Sequence, residues 1–197
     1  MFVIVDVETT GFKTNYICQL SYIVMNERFE VREAKNSFYR VPVMEPGASK
    51  IHGFTLDYLN DKSDVFFSQT DIGELRDLFE NNILVGHNID FDRKMIESNA
   101  IKSGTPINIK QTKCTLSYTR KRYAQLPNKK LESLIRVSNI DMDEATKICK
   151  FLFNTEDTPN LHDARMDVTT LLMVCKTDPE LQKFLLKKGG KTNGQRL

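Results

Sequence analysis

Asp6 and Glu8 stand two residues apart in the run Phe2-Val-Ile-Val-Asp-Val-Glu8. A stretch this β-branched and apolar predicts a strand buried on both faces, and residues two apart on a strand share a face. Both carboxylates therefore point one way and Val5 and Val7 the other. Ionised carboxylates in a low-dielectric place need a cation, a proton, or an exposed strand end. Two more acids sit on apolar helical faces. Asp92 precedes Met95 and Ile96 by three and four residues, while Arg93, Lys94 and Glu97 take the solvent side. Asp167 falls within the stripe Ala164, Val168, Leu171, Leu172, Cys175. Singly, each has an ordinary explanation as a cap or an ion-paired residue. Four that converge suggest a site for hard divalent cations, Mg²⁺ or Mn²⁺, since there is no Cys-x-x-Cys pair or histidine cluster to favour zinc. Carboxylate-held ions with open positions suit phosphoryl transfer, one activating water and the other stabilising the leaving oxygen. His162, five residues before Asp167, is the candidate base for the attacking water, since histidine as a residue type suits proton removal near neutrality.

The elements that must position these groups follow from periodicity and punctuation. Strands are predicted at Phe2–Glu8, Ile17–Met25 and Ser37–Val43, with an exposed antiparallel meander over the charged, alternating Phe29–Lys35. A helix over Asp71–Asn82, capped by Asp71, precedes a short buried strand, Ile83–Val85, and Gly86-His-Asn88 turns into the next helix. A strand near Ile107–Thr112 and helices near 115–123, 131–137, 142–153 and 164–176 follow, with a last helix opened by Asp178-Pro179. Strands first, then strands alternating with helices, predict an α/β domain with a mixed sheet.

The chain has 197 residues, 40% hydrophobic and 27% charged, which suits one globular domain over residues 1–188, with a flexible basic tail over 189–197. No window approaches the roughly 20 apolar residues of a membrane span. The N-terminus lacks a signal-peptide pattern, so an intracellular, cytoplasmic protein is expected. The four widely spaced cysteines read as reduced, packed thiols.

Three segments together resemble the DEDDh (DnaQ-like) family of 3′→5′ exonucleases, which includes the proofreading epsilon subunit of DNA polymerase III, ribonuclease T and oligoribonuclease. Asp6-Val-Glu-Thr-Thr-Gly11 is similar to the first family motif, His87-Asn-Ile-Asp-Phe-Asp92 to the second, and His162-Asp-Ala-Arg-Met-Asp167 to the third; Lys50-Ile-His-Gly-Phe-Thr55 resembles a segment between the first two. The resemblance covers about residues 1–177. It implies a ribonuclease H-like fold, a central five-stranded mixed sheet flanked by helices. It further implies that Asp6 bridges two divalent ions, that Glu8 and Asp167 complete one site and Asp92 supports the other, and that His162 deprotonates the attacking water. Thr9, Thr10, His52, His87, Asn88 and Phe91 would border the pocket for the terminal nucleotide. Lys113-Cys-Thr-Leu116 departs from the Asp-Thr-Leu of many relatives, and about 142–159 reads as a local insertion; neither removes a catalytic group.

The charge is segregated. Between Lys110 and Arg136 eight basic residues face one acid, Glu132, a net +7 within a chain whose total is +2. This segment reads as a phosphate-tracking edge, with Tyr118 and Tyr123 as stacking platforms, or as a solvated helix face. The resulting expectation is a metal-dependent exonuclease on single-stranded or frayed DNA 3′ ends. An exoribonuclease of the same family is the alternative, and a non-catalytic nucleic-acid-binding module the competing class. A polymerase or repair complex and a homodimer are both compatible with the sequence.

Overall fold

In the computed structural model, which describes residues 1–70 and 72–187, the apolar N-terminal run is strand β1 (Phe2–Thr9). It lies in the middle of a five-stranded sheet of order β3-β2-β1-β4-β5. β2 (Ile17–Met25) and β3 (Val31–Phe38) continue from it as an antiparallel meander, and β4 (Ile83–Gly86) and β5 (Thr112–Cys114) pair in parallel on its other side. Among the described residues the helices are α1 (Pro46–His52), α2 (Leu56–Lys62), α3 (Gly73–Asn81), α4 (Ile89–Lys102), α5 (Thr115–Arg122), α6 (Leu131–Val137), α7 (Met142–Phe153), α8 (Ala164–Thr177) and α9 (Pro179–Leu186). The mixed five-stranded sheet flanked by helices is thus present. No helix among the described residues is long and apolar enough to cross a membrane.

Strand alternation sorts the core onto two faces. Val3, Val5 and Val7 pack with Leu20, Tyr22, Phe79, Ile89 and Ile96, under α3 and α4. Phe2 and Ile4 pack with Ile23, Met25, Val168, Leu171, Cys175 and Leu181, under α8 and α9. Each such side chain, fully buried, is worth about 1.5–3 kcal/mol. Asp6 and Glu8 continue the Phe2–Ile4 face, so the same alternation that builds the core delivers both acids to the side covered by α8.

The third strand is Val31–Phe38, which takes in most of the exposed antiparallel meander expected over Phe29–Lys35 but only the first two residues of the strand expected over Ser37–Val43. As an edge strand it needs no continuous apolar run, and its charged, alternating sequence fits that place. Val41, in the segment read as strand, instead packs with Cys18 of β2, with Phe54 and with Leu59 of α2 in a small separate cluster. Likewise β5 begins at Thr112, because Ile107 and Ile109 bury themselves against α4 without joining the sheet. Helices α1 and α2 were not expected, being too short to show a period. Gly53, at φ 81°, ends the first, and Thr55 caps the second by accepting from the Tyr58 N–H. Lys113 is occupied in capping α9, donating to the Phe184 and Lys187 carbonyls. The expected Asp71 cap and the tail at 189–197 lie outside the described residues.

Candidate active site

The parallel pairing of β1 with β4 stops at Ile4↔Val85, while β1 runs on to Thr9. The second half of β1 is therefore open on that side, just where ligands sit in sheets of this kind, beyond the carboxyl ends of parallel strands. Gly86 makes the turn out of β4 feasible, since a Cβ there would meet Ile89 Cδ1 at 2.8 Å and the Val5 carbonyl at 3.2 Å. Helix α4 then brings Asp92 back to β1. Its Oδ1 accepts the Val7 N–H at 3.2 Å, taking the place of the missing strand partner. Asp92 is 3% exposed, as its place on the apolar face predicts.

The other wall is the start of α8. Asp163 caps it by accepting the Arg165 N–H, and is itself held by Gln19 Nε2 at 2.9 Å and by the Arg165 guanidinium at 2.7 Å. Gln19 lies opposite Glu8 in the β1–β2 register and also accepts from Ala164 N–H, so strand and helix are locked together beside the acids. Asp167, in the first turn, accepts the His162 N–H at 3.1 Å. His162 holds a left-handed conformation, φ 69°, and its Nε2 lies 3.3 Å from Glu132 on α6.

Ligand oxygens of Asp6, Glu8 and Asp167 lie within 4.8 Å of one another. Asp92 stands outside this triad, on Val7. Among the described residues no lysine or arginine forms a salt bridge to any of the four. The electrostatic result is unfavourable for charge. Burial first, then Asp92, Asp167 and Glu8, push the Asp6 carboxyl well above the usual range; burial, then Asp167 and Asp92, do the same to Glu8. Burial raises Asp92 to about 7 against the opposing Val7 hydrogen bond, and Asp167 to about 6 against the His162 N–H. A concentrated all-oxygen donor set that lacks internal cations fits a divalent metal, which would relieve both burial and repulsion.

A cleft of about 750 Å³ opens over Asp6, Asp167 and His162, bounded by His87, Asn88 and Phe91 and by Arg120, Lys129 and Lys130. A smaller, mainly apolar cavity of about 310 Å³ adjoins it, lined by Glu8, Thr9, Ile51, His52 and Phe91. Of the residues expected around a nucleotide, Thr9, His52, His87, Asn88 and Phe91 thus line one or other cavity. Thr10 does not: it is fully buried, its hydroxyl bonded to Thr14 and to the Tyr16 N–H, and it shapes the loop after β1. Histidine at 52 is held by its own surroundings, Nδ1 accepting from Phe54 N–H and Nε2 donating to the Thr9 carbonyl. Burial lowers its pKa, which agrees with one proton on the ring.

Several side chains at the site escaped the sequence reading. Phe12, 87% exposed, stands edge-on to Phe91 and borders both cavities. Its loop is braced by Glu45, whose Oε1 accepts from Lys13 N–H, Thr14 N–H and the Thr14 hydroxyl. An exposed aromatic directly after the Gly11 turn is the signal that could have found it. Tyr118 fails as a stacking platform: it is 7% exposed and donates to Asp178, the cap of α9, with Tyr123 edge-on to it. Within the basic segment, Arg120, Lys129 and Lys130 reach the cleft.

The family model described as exonuclease, RNase_T, matches residues 3–175, so the chain belongs to the exonuclease family, as a DEDDh-type, DnaQ-like 3′→5′ exonuclease. Members of that family depend on divalent metal ions. No curated protein sequence matches. Among solved structures the chain is similar to exonuclease X in complex with 5′-overhanging duplex DNA, with 17% identity and a TM-score of 0.60 over 90% of this chain and 92% of that one. It is also similar to exonuclease I, with 20% identity and a TM-score of 0.72 over 93% of this chain and 42% of that one. Escherichia coli exonuclease I in complex with a dA16 oligonucleotide gives 20% identity and a TM-score of 0.68. The chain spans less than half the length of exonuclease I. These likenesses establish a ribonuclease H-like α/β fold.

Proposed function

We propose that residues 1–188 act as one exonuclease domain that removes nucleoside 5′-monophosphates from single-stranded or frayed 3′ ends, DNA above RNA. The observation that carries this reading is the cluster of Asp6, Glu8 and Asp167, of which Asp6 and Asp167 open with His162 into a cleft edged by Arg120, Lys129 and Lys130. Asp6, Glu8 and Asp167, with Asp92 beside them, would hold two divalent ions, Mg²⁺ or Mn²⁺. Bound there, the ions supply positive charge for the scissile phosphodiester and ease deprotonation of an attacking water.

The chain's own residues do the rest. Asp92 keeps β1 in place through Val7, and the Gln19–Asp163–Arg165 network fixes the start of α8. His162, half-exposed beside Asp167, takes the proton from the water. Phe12, Phe91 and Ile51 offer apolar surface to the terminal base, and Arg120 and Lys130 meet the phosphates behind it. The preference for DNA is supported by the neighbours solved with DNA, exonuclease X with a 5′ overhang and exonuclease I with oligonucleotides.

An end-labelled single-stranded DNA and an RNA of the same sequence, each with Mg²⁺, Mn²⁺ or chelator, test the reading. Metal-dependent release of mononucleotides, faster from DNA, is expected. Faster release from RNA would transfer the substrate to the exoribonuclease reading, and no release from either would leave a nucleic-acid-binding module.

A further inference from the structure

The loop between α5 and α6, residues 123–130, is closed largely by its own bonds. The Lys129 ammonium donates to the Ala124 and Leu126 carbonyls, and Asn128 Oδ1 accepts from the Lys130 N–H and the Ser133 hydroxyl. A tie from this loop to the sheet comes from His87, at the turn leaving β4. Its Nε2 lies 2.7 Å from the Lys129 carbonyl oxygen and its Nδ1 3.1 Å from Thr115 Oγ1. A carbonyl can only accept, so Nε2 carries the proton. Burial disfavours a second proton on the ring, so Nδ1 acts as an acceptor toward the Thr115 hydroxyl, whose single hydrogen is shared with the Gly86 carbonyl oxygen 3.2 Å away. Thr115 is fully buried at the first residue of α5. Both ring nitrogens are thereby engaged inside the protein, and neither is left for a nucleotide.

We propose that His87 is a positioning residue that fastens the basic loop 123–130 to the framework carrying Asp6, and so sets where Lys130 meets the nucleic-acid chain behind the terminal nucleotide. This departs from the family-derived expectation of a nucleotide contact, and it rests on reading that loop as the nucleic-acid entrance. The chemistry behind it is distinctive. Loss of the imidazole leaves a partly buried carbonyl without its donor and frees the loop, so the effect falls on nucleic acid long enough to reach Lys130.

Two substitutions separate the ring's two bonds. In His87→Asn the amide can reach Thr115 but not Lys129; in His87→Gln the longer amide can place an N–H near the position of Nε2. Each folded variant, checked by circular dichroism, is assayed on a thymidine oligonucleotide and on a thymidine dinucleotide too short to extend to the loop. For His87→Asn the rise in KM on the oligonucleotide should exceed that on the dinucleotide by about tenfold, equivalent to about 1.4 kcal/mol. His87→Gln should recover most of it. Equal losses on both substrates, or no recovery by Gln, would overturn the proposal and return His87 to a nucleotide contact or a purely structural role. Lys130→Gln distinguishes the two levels of argument. If it shows no length-dependent penalty, the entrance reading falls and this inference with it; if it does while His87→Asn does not, only the role of His87 is refuted.

Discussion

Replacing Asp6 by Asn should stabilise the metal-free protein while abolishing turnover. Asp6 has Glu8 and Asp167 oxygens within 4.8 Å and feels Asp92 as well. Two ionised carboxylates at that separation repel by about 3 kcal/mol at an effective dielectric near 20. The protein relieves part of this by holding protons, and water reaching the partly exposed Asp6 and Glu8 screens more of it, so a net gain of about 2 kcal/mol is expected for the neutral isostere. For a chain of this size that raises Tm by about 4–8 °C. The sign with pH is the reverse of the common carboxylate case. Asp92 is pushed up to about 7 and Asp167 to about 6, whereas unfolded carboxyls titrate near 4. The folded state therefore binds more protons through this window, and the stability of the metal-free protein falls as pH rises from about 4 to 7. Asp6→Asn should flatten that fall. Scanning fluorimetry in chelator at about pH 5 and pH 8 measures both effects, and added Mg²⁺ should raise the wild-type Tm more than that of the variant. A variant that melts no higher than wild type at pH 8, or a wild type that gains stability from pH 5 to 8 without metal, refutes the reasoning.

Three further outcomes are expected. His162→Gln should lose about 10²–10⁴-fold in rate near neutral pH yet keep its metal affinity by calorimetry; lost affinity would make His162 a ligand. Arg120→Gln combined with Lys130→Gln should raise KM and lower the slope of log KM against log salt by about 1.4, given about 0.7 per single-strand phosphate contact, and an unchanged slope would remove both from the nucleic-acid path. Arg165→Met leaves Asp163 charged and buried without its guanidinium, which should cost about 3–5 kcal/mol in urea unfolding; a loss under about 1 kcal/mol would show that Gln19 and solvent suffice for Asp163.

The strongest periodic segments were legible, and so were the acids they carry. β1, β2, α4, α7 and α8 lie where apolar runs or a 3.6-residue period place them, because β1 and β2 bury both faces and each of these helices buries one apolar face, as the sequence displays. Asp92 and Asp167 were found by the same logic, as acids breaking an apolar stripe. Elements without such a run were shifted in their bounds or missed. β3 is a charged edge strand, β5 only three residues long, and α1 and α2 a single short turn or two each, held by Gly53 and Thr55 at their junction. Local pattern could also not show that Tyr118 is spent on Asp178, or that Thr10 and His87 are bonded internally, since each partner is decided by packing.

The sequence by itself determined which carboxylates share a face with the core, the chemistry their number and type suit, the family motifs, and the segregation of positive charge between Lys110 and Arg136. Those properties are local, written in periods of two and 3.6 residues and in residue type. Only the tertiary structure decided that β4 leaves β1 early enough to open the strand's acidic half, and that Asp92 fills the vacated bond. It also decided that Asp6, Glu8 and Asp167 form one cluster under α8. Which basic residues reach the cleft, and which polar side chains are free to meet a substrate, depend on contacts between residues distant in the chain, such as His87 with Lys129 and Gln19 with Asp163; nothing in either local segment specifies its partner.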